Sequence, residues 1–177
     1  CRNFDFDINE FSITPERAKV VDFSTGYYDV AQAVITVAGS KIANAKSIAD
    51  LQGAKLGAQV GTTSYATITD VIKPTTEAAV FDTNDVAKQA LANGQIDGLV
   101  VDLPTAFYIT AVDLENGKIV GQFPAKAGGE QFGLVLSKGS ALTEKVSKAV
   151  DTLRANGTLA KIEDQWLATG VSVPVLK

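Results

Sequence analysis

The sequence predicts an α/β fold, and three patterns along the chain support this prediction. Between residues 31 and 123, short apolar runs typical of strands alternate with segments that have helical caps and turns. Before this stretch, Phe4, Phe6 and Ile8 alternate with polar residues, which is the period of a half-buried strand. After it, two segments repeat apolar residues at helical spacing. Strands separated by helices favour mainly parallel pairing.

The composition excludes several classes of function. The 177 residues include 16 Lys and Arg, 20 Asp and Glu and no His, which gives a formal net charge of −4. Nucleic-acid binding needs a surplus of basic residues, so we expect no nucleic-acid partner. Without His there is no Ser-His or Cys-His catalysis and no His-ligated metal, and the single cysteine, Cys1, forms no internal disulfide or zinc cluster. We therefore expect no metal site and no cofactor.

Arg17 is the first candidate site residue. Thr14 suits the cap of a helix and Pro15 its first position, so a short helix is predicted from here to about Val20. A guanidinium group beside backbone N–H groups and the hydroxyl of Ser12 suits a carboxylate. The alternative is an exposed surface arginine, which is the commonest environment of this residue type.

The central stretch is predicted as five strands and four helices. The strands cover residues 31–37, 55–58, 78–81, 96–102 and 119–123. The helices begin at Ser47, at Gly61-Thr62-Thr63-Ser64 and at Pro104, and a further helix is predicted with Asn84 as its cap. Asn116-Gly117 forms a turn before the last strand.

Two places in this stretch suit a ligand. The segment Gly61-Thr62-Thr63 joins a strand to a helix, and its backbone donors and hydroxyl groups suit an anion. Asp102 ends an apolar strand, where open α/β sheets place their ligands, and its carboxylate suits an ammonium group. For both places, plain capping of the following helix is the alternative.

The last third changes character. One strand is predicted over 132–136, Ser140 is predicted to cap a long helix, and Thr158 a second one. The second helix carries Ile162 and Trp166 at helical spacing, so we predict that Trp166 is a core residue.

Several of these segments together resemble the amino-acid-binding solute receptors of ABC importers, of the family 3 type. The resemblance covers essentially the whole chain. Its motifs are Ser-Ile-Thr-Pro-Glu-Arg-Ala-Lys-Val-Val-Asp-Phe-Ser (12–24), Tyr27-Tyr28, Gly61-Thr62-Thr63, Asp102 before Pro104, Phe132-Gly133-Leu134, and Leu153-Arg154-Ala155-Asn156-Gly157-Thr158 with Trp166.

The resemblance implies a type II periplasmic-binding-protein-like fold, with two α/β lobes joined by two crossovers near Asp29 and Ala127. Residues 1–31 would then be a first-lobe remnant with the first crossover, 32–123 the second lobe, and 124–177 the second crossover with the C-terminal first-lobe helices. The family's elements before the strand at Phe4 are absent, so the first lobe is incomplete here and exposes a sheet edge and an apolar face. We expect this face to recruit a second copy of the chain, or its segments to rearrange.

The resemblance also implies a ligand site. By similarity, Arg17 binds the α-carboxylate of an amino acid, Asp102 binds its α-ammonium group, and Gln59 faces its side chain. The remaining site residues are Ser12, Gly61, Thr62 and Thr63. Glu10 stands where the family commonly has small residues, and a carboxylate there either reads a basic or amide side chain or obstructs the ligand.

The expected function is therefore binding, without catalysis, of a free amino acid with a polar or charged side chain, and its delivery to the membrane subunits of an ABC importer. The expected location is periplasmic or extracellular after removal of a signal peptide, and Cys1 is either a fragment end or a lipid-modified terminus. Three alternatives stay open: a dehydratase of prephenate-like or arogenate-like acids with Glu10 as the acid, the effector-binding part of a transcription regulator, and a fragment that no longer binds ligand.

Overall fold

The structure is a computed structural model that describes residues 4–124, 129–167 and 172–177. Cys1 and the expected crossover at Ala127 lie outside the described residues. The chain forms two compact units. The first unit comprises Cys1–Val30 and Lys126–Val171, and the second comprises Ala31–Ala125 and Ser172–Lys177. None of the helices in the described ranges has the length and apolar character needed to cross a membrane.

The regular elements of the described residues are numbered in chain order. The strands are β1 (Phe6–Asp7), β2 (Val21–Phe23), β3 (Tyr28–Val30), β4 (Gln32–Val37), β5 (Leu56–Gln59), β6 (Ala79–Phe81), β7 (Gly98–Asp102), β8 (Gly117–Gln122), β9 (Glu130–Phe132) and β10 (Val135–Ser137). The α-helices are α1 (Thr63–Thr67), α2 (Asn84–Ala92), α3 (Leu103–Tyr108), α4 (Thr143–Ala155) and α5 (Thr158–Trp166). Helices α1 and α3 continue as π-helical turns over Ile68–Ile72 and Ile109–Asp113, and short 3-10 helices cover Arg17–Lys19 and Ala49–Leu51.

The second unit is built on a five-stranded sheet with the order β6-β5-β7-β4-β8. Strand β5 pairs in parallel with β6 and β7, whereas β4 pairs antiparallel with β7 and β8. The four strands from β5 to β8 therefore share one direction, as expected when helices and long connections return the chain. The prediction of mainly parallel pairing is wrong because β4 runs in the opposite direction between two of them.

Both faces of this sheet are covered. Successive side chains of a strand point to opposite faces, so neighbouring residues of β4 and β7 join two different apolar clusters. One cluster includes Val34, Ile42, Leu51, Leu56, Ile68 and Val100. The other includes Ala33, Ile35, Leu91, Leu99, Val101 and Ile109.

The first unit contains two small antiparallel sheets, β1-β10-β2 and β3-β9. The single strand predicted over 132–136 is thus two strands that belong to different sheets. Gly133 lies between them, where an added Cβ atom would stand 2.9 Å from the Ile13 side chain. This close approach lets the Gly133 amide donate to the Phe11 carbonyl at 3.0 Å.

Trp166 is 70% exposed, so the prediction that it is a core residue is wrong. Its helix has the predicted period, and Leu159 and Ile162 line an apolar groove on the same face of α5. Periodicity identifies the apolar face of a helix but not what covers it. Within the described residues of the first unit, nothing buries the last turn of this face.

Three predicted caps also differ from the structure. Thr83, one residue before Asn84, caps α2, and its hydroxyl accepts the amide of Val86 at 3.3 Å. The cap residues of α4 and α5 are Leu142 and Gly157, and neither caps its helix with its side chain. Thr83 is extended, with φ of −140°, so its side chain reaches back to the first turn of the helix.

Residues 172–177 belong to the second unit, whereas the sequence-based division assigned 124–177 to the second crossover and the C-terminal first-lobe helices. Leu176 is 1% exposed within the cluster that contains Val34. Its amide donates to the Gln122 carbonyl at 2.9 Å, and the Gln122 amide donates to the Pro174 carbonyl at 2.9 Å. Gly121 makes room for this contact, because a Cβ atom there would lie 2.7 Å from Leu176.

Candidate functional site

Arg17 begins a 3-10 helix over Arg17–Lys19 in the first unit, where a short helix was predicted from Pro15 to about Val20. Its backbone amide donates to the Thr14 hydroxyl at 3.2 Å, which orders the turn. Its guanidinium group donates to the Ser12 carbonyl at 2.8 Å and lies 5.9 Å from the centre of the Phe11 ring. The half-buried cation is thus held by its own loop, and a planar guanidinium held in this way suits a carboxylate.

Ser12 is buried, with 3% of its surface exposed. It forms an antiparallel bridge with Phe132, and its hydroxyl donates to a carboxylate oxygen of Glu130 at 2.5 Å. The first unit therefore places Arg17 and Glu130 in contact with Ser12. Sequence reasoning missed Glu130 because it lies 118 residues from Ser12 along the chain.

Glu10 has a left-handed backbone conformation, with φ of 57°. A non-glycine residue in this region is uncommon and indicates a turn held by its surroundings. The side chain is exposed and precedes Ser12 by two residues. The loop thus carries one carboxylate, Glu10, two residues before Ser12, and a second one, Glu130 of β9, accepts the Ser12 hydroxyl.

In the second unit, the segment after β5 forms the predicted strand-to-helix turn. Gly61 has φ of +70°, which glycine adopts without strain. Thr62 caps α1, accepting the Tyr65 amide at 3.2 Å and donating to the Gln59 carbonyl at 2.7 Å. The alternative prediction for this segment, helix capping, therefore applies to Thr62. The Thr63 hydroxyl is not the capping group of α1.

Asp102 ends β7 and caps α3. Its carboxylate accepts the Thr105 amide at 2.8 Å and the Thr105 hydroxyl at 2.9 Å. Since β5 and β7 are parallel neighbours, their carboxyl ends place Gln59 and Asp102 at the same edge of the sheet. Capping is thus one role of Asp102, and a carboxylate accepts about four hydrogen bonds in all.

Gln32 is a further candidate residue that sequence reasoning did not single out. It is 6% exposed and stands opposite Asp102 in the β4–β7 ladder. Its amide nitrogen donates to the Thr63 hydroxyl at 3.2 Å, and its amide oxygen accepts the Ser64 hydroxyl at 2.7 Å. The sequence signal that could have identified Gln32 is its place as a polar residue directly before the apolar run that begins at Ala33. Gln32 ties the two candidate segments of the second unit together.

Each unit thus carries its own group of charged and polar side chains. The first unit offers the Arg17 guanidinium group and the Glu130 carboxylate at Ser12, with Glu10 two residues earlier in the chain. The second unit offers hydroxyl groups, an amide and the Asp102 carboxylate. Over residues 4–124, 129–167 and 172–177, no three His, Cys, Asp or Glu side chains group together as a metal site would require.

Comparison with known proteins identifies the family. The sequence model of the bacterial extracellular solute-binding proteins, family 3, matches residues 1–169. The chain is 35% identical over 174 residues to ABC transporter arginine-binding protein 1 of Escherichia coli (strain K12), and the match covers 93% of this chain and 67% of that protein.

Two solved structures show the same fold. An ancestral arginine-binding protein bound to arginine superposes with a TM-score of 0.75 at 33% identity, over 93% of this chain and 72% of that chain. The ancestral amino acid-binding protein AncCDT-1, a precursor of cyclohexadienyl dehydratase, gives 0.71 at 30% identity, over 92% and 68% of the two chains. These matches confirm the predicted fold class, and the chain belongs to the family 3 bacterial extracellular solute-binding proteins that bind amino acids.

Proposed function

We propose that the protein binds a free amino acid with a cationic side chain, with arginine as the first candidate, and delivers it to an ABC importer without catalysing a reaction. The observation that carries the proposal is Arg17, a half-buried guanidinium group held by the carbonyl of Ser12 at 2.8 Å, within the stretch of chain that the family model matches. This cation would bind the α-carboxylate.

The second unit would supply the partner of the α-ammonium group. Asp102 lies at the carboxyl edge of the sheet and offers a carboxylate, and Gln32 holds the Thr63 hydroxyl next to it in the same unit. A zwitterion carries one positive and one negative charge, and burying either of them without a partner is costly. The site must therefore offer both a base for the carboxylate and an acid for the ammonium group. Thr62 and Gly61 would shape the turn that presents Thr63.

The choice of a cationic side chain rests on two carboxylates and one relative. Glu10 lies two residues before Ser12, and Glu130 accepts the Ser12 hydroxyl at 2.5 Å. Two carboxylates near one loop favour a cation over an apolar or acidic side chain. The Escherichia coli relative is named an arginine-binding protein. Gln59 would face the ligand's side chain from the second unit.

The proposed place of action is outside the cytoplasmic membrane, in the periplasm or at the cell surface, where membrane subunits of the importer would receive the ligand. The family description as extracellular supports this location.

Isothermal titration calorimetry with arginine tests the proposal. Arg17→Ala should weaken binding by at least about tenfold, because a charge-assisted hydrogen bond contributes about 1.5–3 kcal/mol net. Asp102→Asn should do the same while preserving stability, because Asn caps helices as well as Asp does. The matched control is Thr83→Asn, which exchanges one cap residue for another at α2, away from the proposed ligand contacts.

Glu10→Gln and Glu130→Gln test the side-chain preference. Each should reduce the affinity for arginine more than the affinity for glutamine, which lacks the cation. Unchanged affinities in both variants would contradict the cationic class. A folded chain that binds none of the common amino acids would contradict the function itself and support a fragment without binding activity.

An enzyme on this fold is the second candidate, because AncCDT-1 is a precursor of a dehydratase and Glu10 is an acid two residues before Ser12 of the proposed site. Depletion of prephenate or arogenate that stops in Glu10→Gln would establish it. If neither prephenate nor arogenate is depleted and the protein binds an amino acid, the enzyme candidate is excluded and the transport function is supported.

A further inference from the structure

Gln32 is a buried polar residue at the start of β4. Its amide nitrogen donates to the Thr63 hydroxyl at 3.2 Å, and its amide oxygen accepts the Ser64 hydroxyl at 2.7 Å. Both partners are side chains of consecutive residues in α1. Burying an amide group is unfavourable unless its hydrogen bonds are made, so packing alone would favour an apolar residue at this position. The two hydrogen bonds therefore indicate a role for the amide beyond filling space.

The side chain of Gln32 lies on the face of the sheet that α1 covers. Alternate residues of a strand share a face, and Val34 belongs to the same buried cluster as Ile68, which directly follows α1. Asp102 stands opposite Gln32 in the β4–β7 ladder, and residues directly opposite each other share a face. Gln32 thus connects the start of α1 to the edge of the sheet at which Asp102 lies.

The direction of these hydrogen bonds determines what the Thr63 hydroxyl can offer a ligand. A hydroxyl group has one proton to donate and two lone pairs that accept. The proton of Ser64 is donated to the amide oxygen of Gln32, which turns the amide nitrogen toward Thr63. Because the Thr63 oxygen accepts from this nitrogen, its own proton points away from Gln32. Ser64 is buried and Thr63 is half-buried, so Thr63 forms the more accessible end of this chain of hydrogen bonds.

We propose that Gln32 is a positioning residue, which fixes the Thr63 hydroxyl as a hydrogen-bond donor toward the α-carboxylate of the amino acid. This inference rests on the proposed function and deepens it. A hydroxyl held as a donor suits the carboxylate, whereas the α-ammonium group has only protons to offer and needs an acceptor. The carboxylate of Asp102 is such an acceptor. The second unit thus offers a different side chain to each charged end of the zwitterion.

A double-mutant cycle of arginine binding, measured by calorimetry, tests the proposal. Thr63→Val removes the hydroxyl at similar shape and should weaken binding by about tenfold, because hydrogen bonds to charged groups are the strong ones. Gln32→Met leaves the Thr63 proton to choose among three staggered positions, so binding should weaken by at least about threefold. In the Thr63→Val background, Gln32→Met should cause no further loss, because Gln32 acts through that hydroxyl.

Gln32→Glu tests the direction of the hydrogen bond. A carboxylate only accepts, so the Thr63 proton should turn toward it and away from the ligand. Binding of glutamine, whose side chain is uncharged, should weaken at least as much as in Thr63→Val. The matched controls are Gln122→Met and Gln122→Glu. Gln122 stands opposite Ala33, the neighbour of Gln32, and its amide donates to the Val173 carbonyl at 3.0 Å. Both controls should keep the affinity of the parent chain.

The possible outcomes separate this inference from the proposed function. A parent chain that binds an amino acid and a Gln32→Met variant of equal affinity would overturn the role of Gln32 alone. Additive losses in the double variant would do the same, and so would tighter binding in Gln32→Glu, since Thr63 would then serve the ammonium group as an acceptor. A parent chain that binds no amino acid would overturn both proposals.

Ser64→Ala extends the test to a case in which the Gln32 variants do not fold. It removes the donor that orients the Gln32 amide and leaves the amide itself in place. Binding should weaken by about two- to threefold in the parent chain, as the Thr63 proton loses its fixed direction, and should not change in the Thr63→Val background. An equal loss in both backgrounds would show that Ser64 acts on stability alone and would overturn the proposal.

Discussion

The two units of the chain differ in how completely they bury their apolar residues. In the second unit, a five-stranded sheet has a cluster of buried residues on each face. In the first unit, two small antiparallel sheets leave Phe4, Ile8 and Trp166 largely exposed. The second unit is built mainly from one continuous stretch, whereas the first combines two distant segments. Similar periodic patterns therefore lead to a closed core only where a covering layer is present.

The units also differ at their helix ends. Thr62, Thr83 and Asp102 cap the three α-helices of the second unit through their side chains. The helices α4 and α5 of the first unit have no such side-chain cap. Local signals and tertiary packing agree in the second unit, and such agreement favours a cooperative fold. We therefore expect the second unit to be the more stable one.

The largest expected contrast is between two identical substitutions. Val101→Ala removes a side chain that is 2% exposed in the second unit, whereas Val20 in the first unit is 72% exposed. The lost transfer and cavity terms should cost about 2–3 kcal/mol of unfolding free energy at Val101, and Val20→Ala should stay within about 0.5 kcal/mol. Urea unfolding measures both. Similar losses at the two positions would show that the units do not differ in burial.

A smaller contrast concerns the caps. Thr83→Ala should destabilise α2 by about 1 kcal/mol, because the Val86 amide loses its acceptor. Ser140→Ala should cost less, since its hydroxyl accepts only the Leu142 amide, at 3.3 Å and outside the α-helix. Hydrogen exchange of the first-turn amides in α2 and α4 measures the two effects. An equal rise in exchange in both helices would contradict the capping difference.

The smallest contrast appears in acid. The ammonium group of Lys138 holds the pKa of Asp22 below its usual value, and the backbone amide of Lys46, followed by the Ser47 hydroxyl, does so for Asp50. A folded-state pKa below the unfolded one stabilises the fold above the unfolded pKa of about 3.9. This stabilisation is lost as the pH falls from there through the folded pKa. Asp22→Asn and Asp50→Asn should each flatten the fall of stability below about pH 4.

Salt separates these two carboxylates. Added salt should diminish the contribution of Asp22, whose main partner is a charged group at 3.1 Å with an exposed side chain. It should change that of Asp50 less, because its partners are neutral donors. Acid titrations of unfolding free energy at low and high salt measure the difference. A larger salt effect on Asp50 would contradict this assignment of causes.

The sequence predicted those parts of the fold that depend on nearby residues. The strand ending at Asp102, the turn at Gly61 and the helix near Asn84 all have local signals, and the structure places an element at each. The pairing of Ser12 with Glu130 and the position of Gln32 opposite Asp102 depend on ladders between distant segments. Contacts between distant segments produce no periodic pattern in the sequence. The exposure of Trp166 was missed for a related reason, because periodicity does not reveal whether a covering layer exists.

Leu176 in the core of the second unit has a consequence for synthesis. A ribosome adds residues one at a time, and domains generally begin to fold as they emerge. Strands β4 to β8 are complete long before residue 176 is made, yet the cluster around Val34 remains short of one buried leucine until then. During this interval the nascent second unit exposes an apolar site beside Gly121. A chaperone that binds apolar segments should therefore hold nascent chains that stop before residue 172 and release them once Leu176 has emerged.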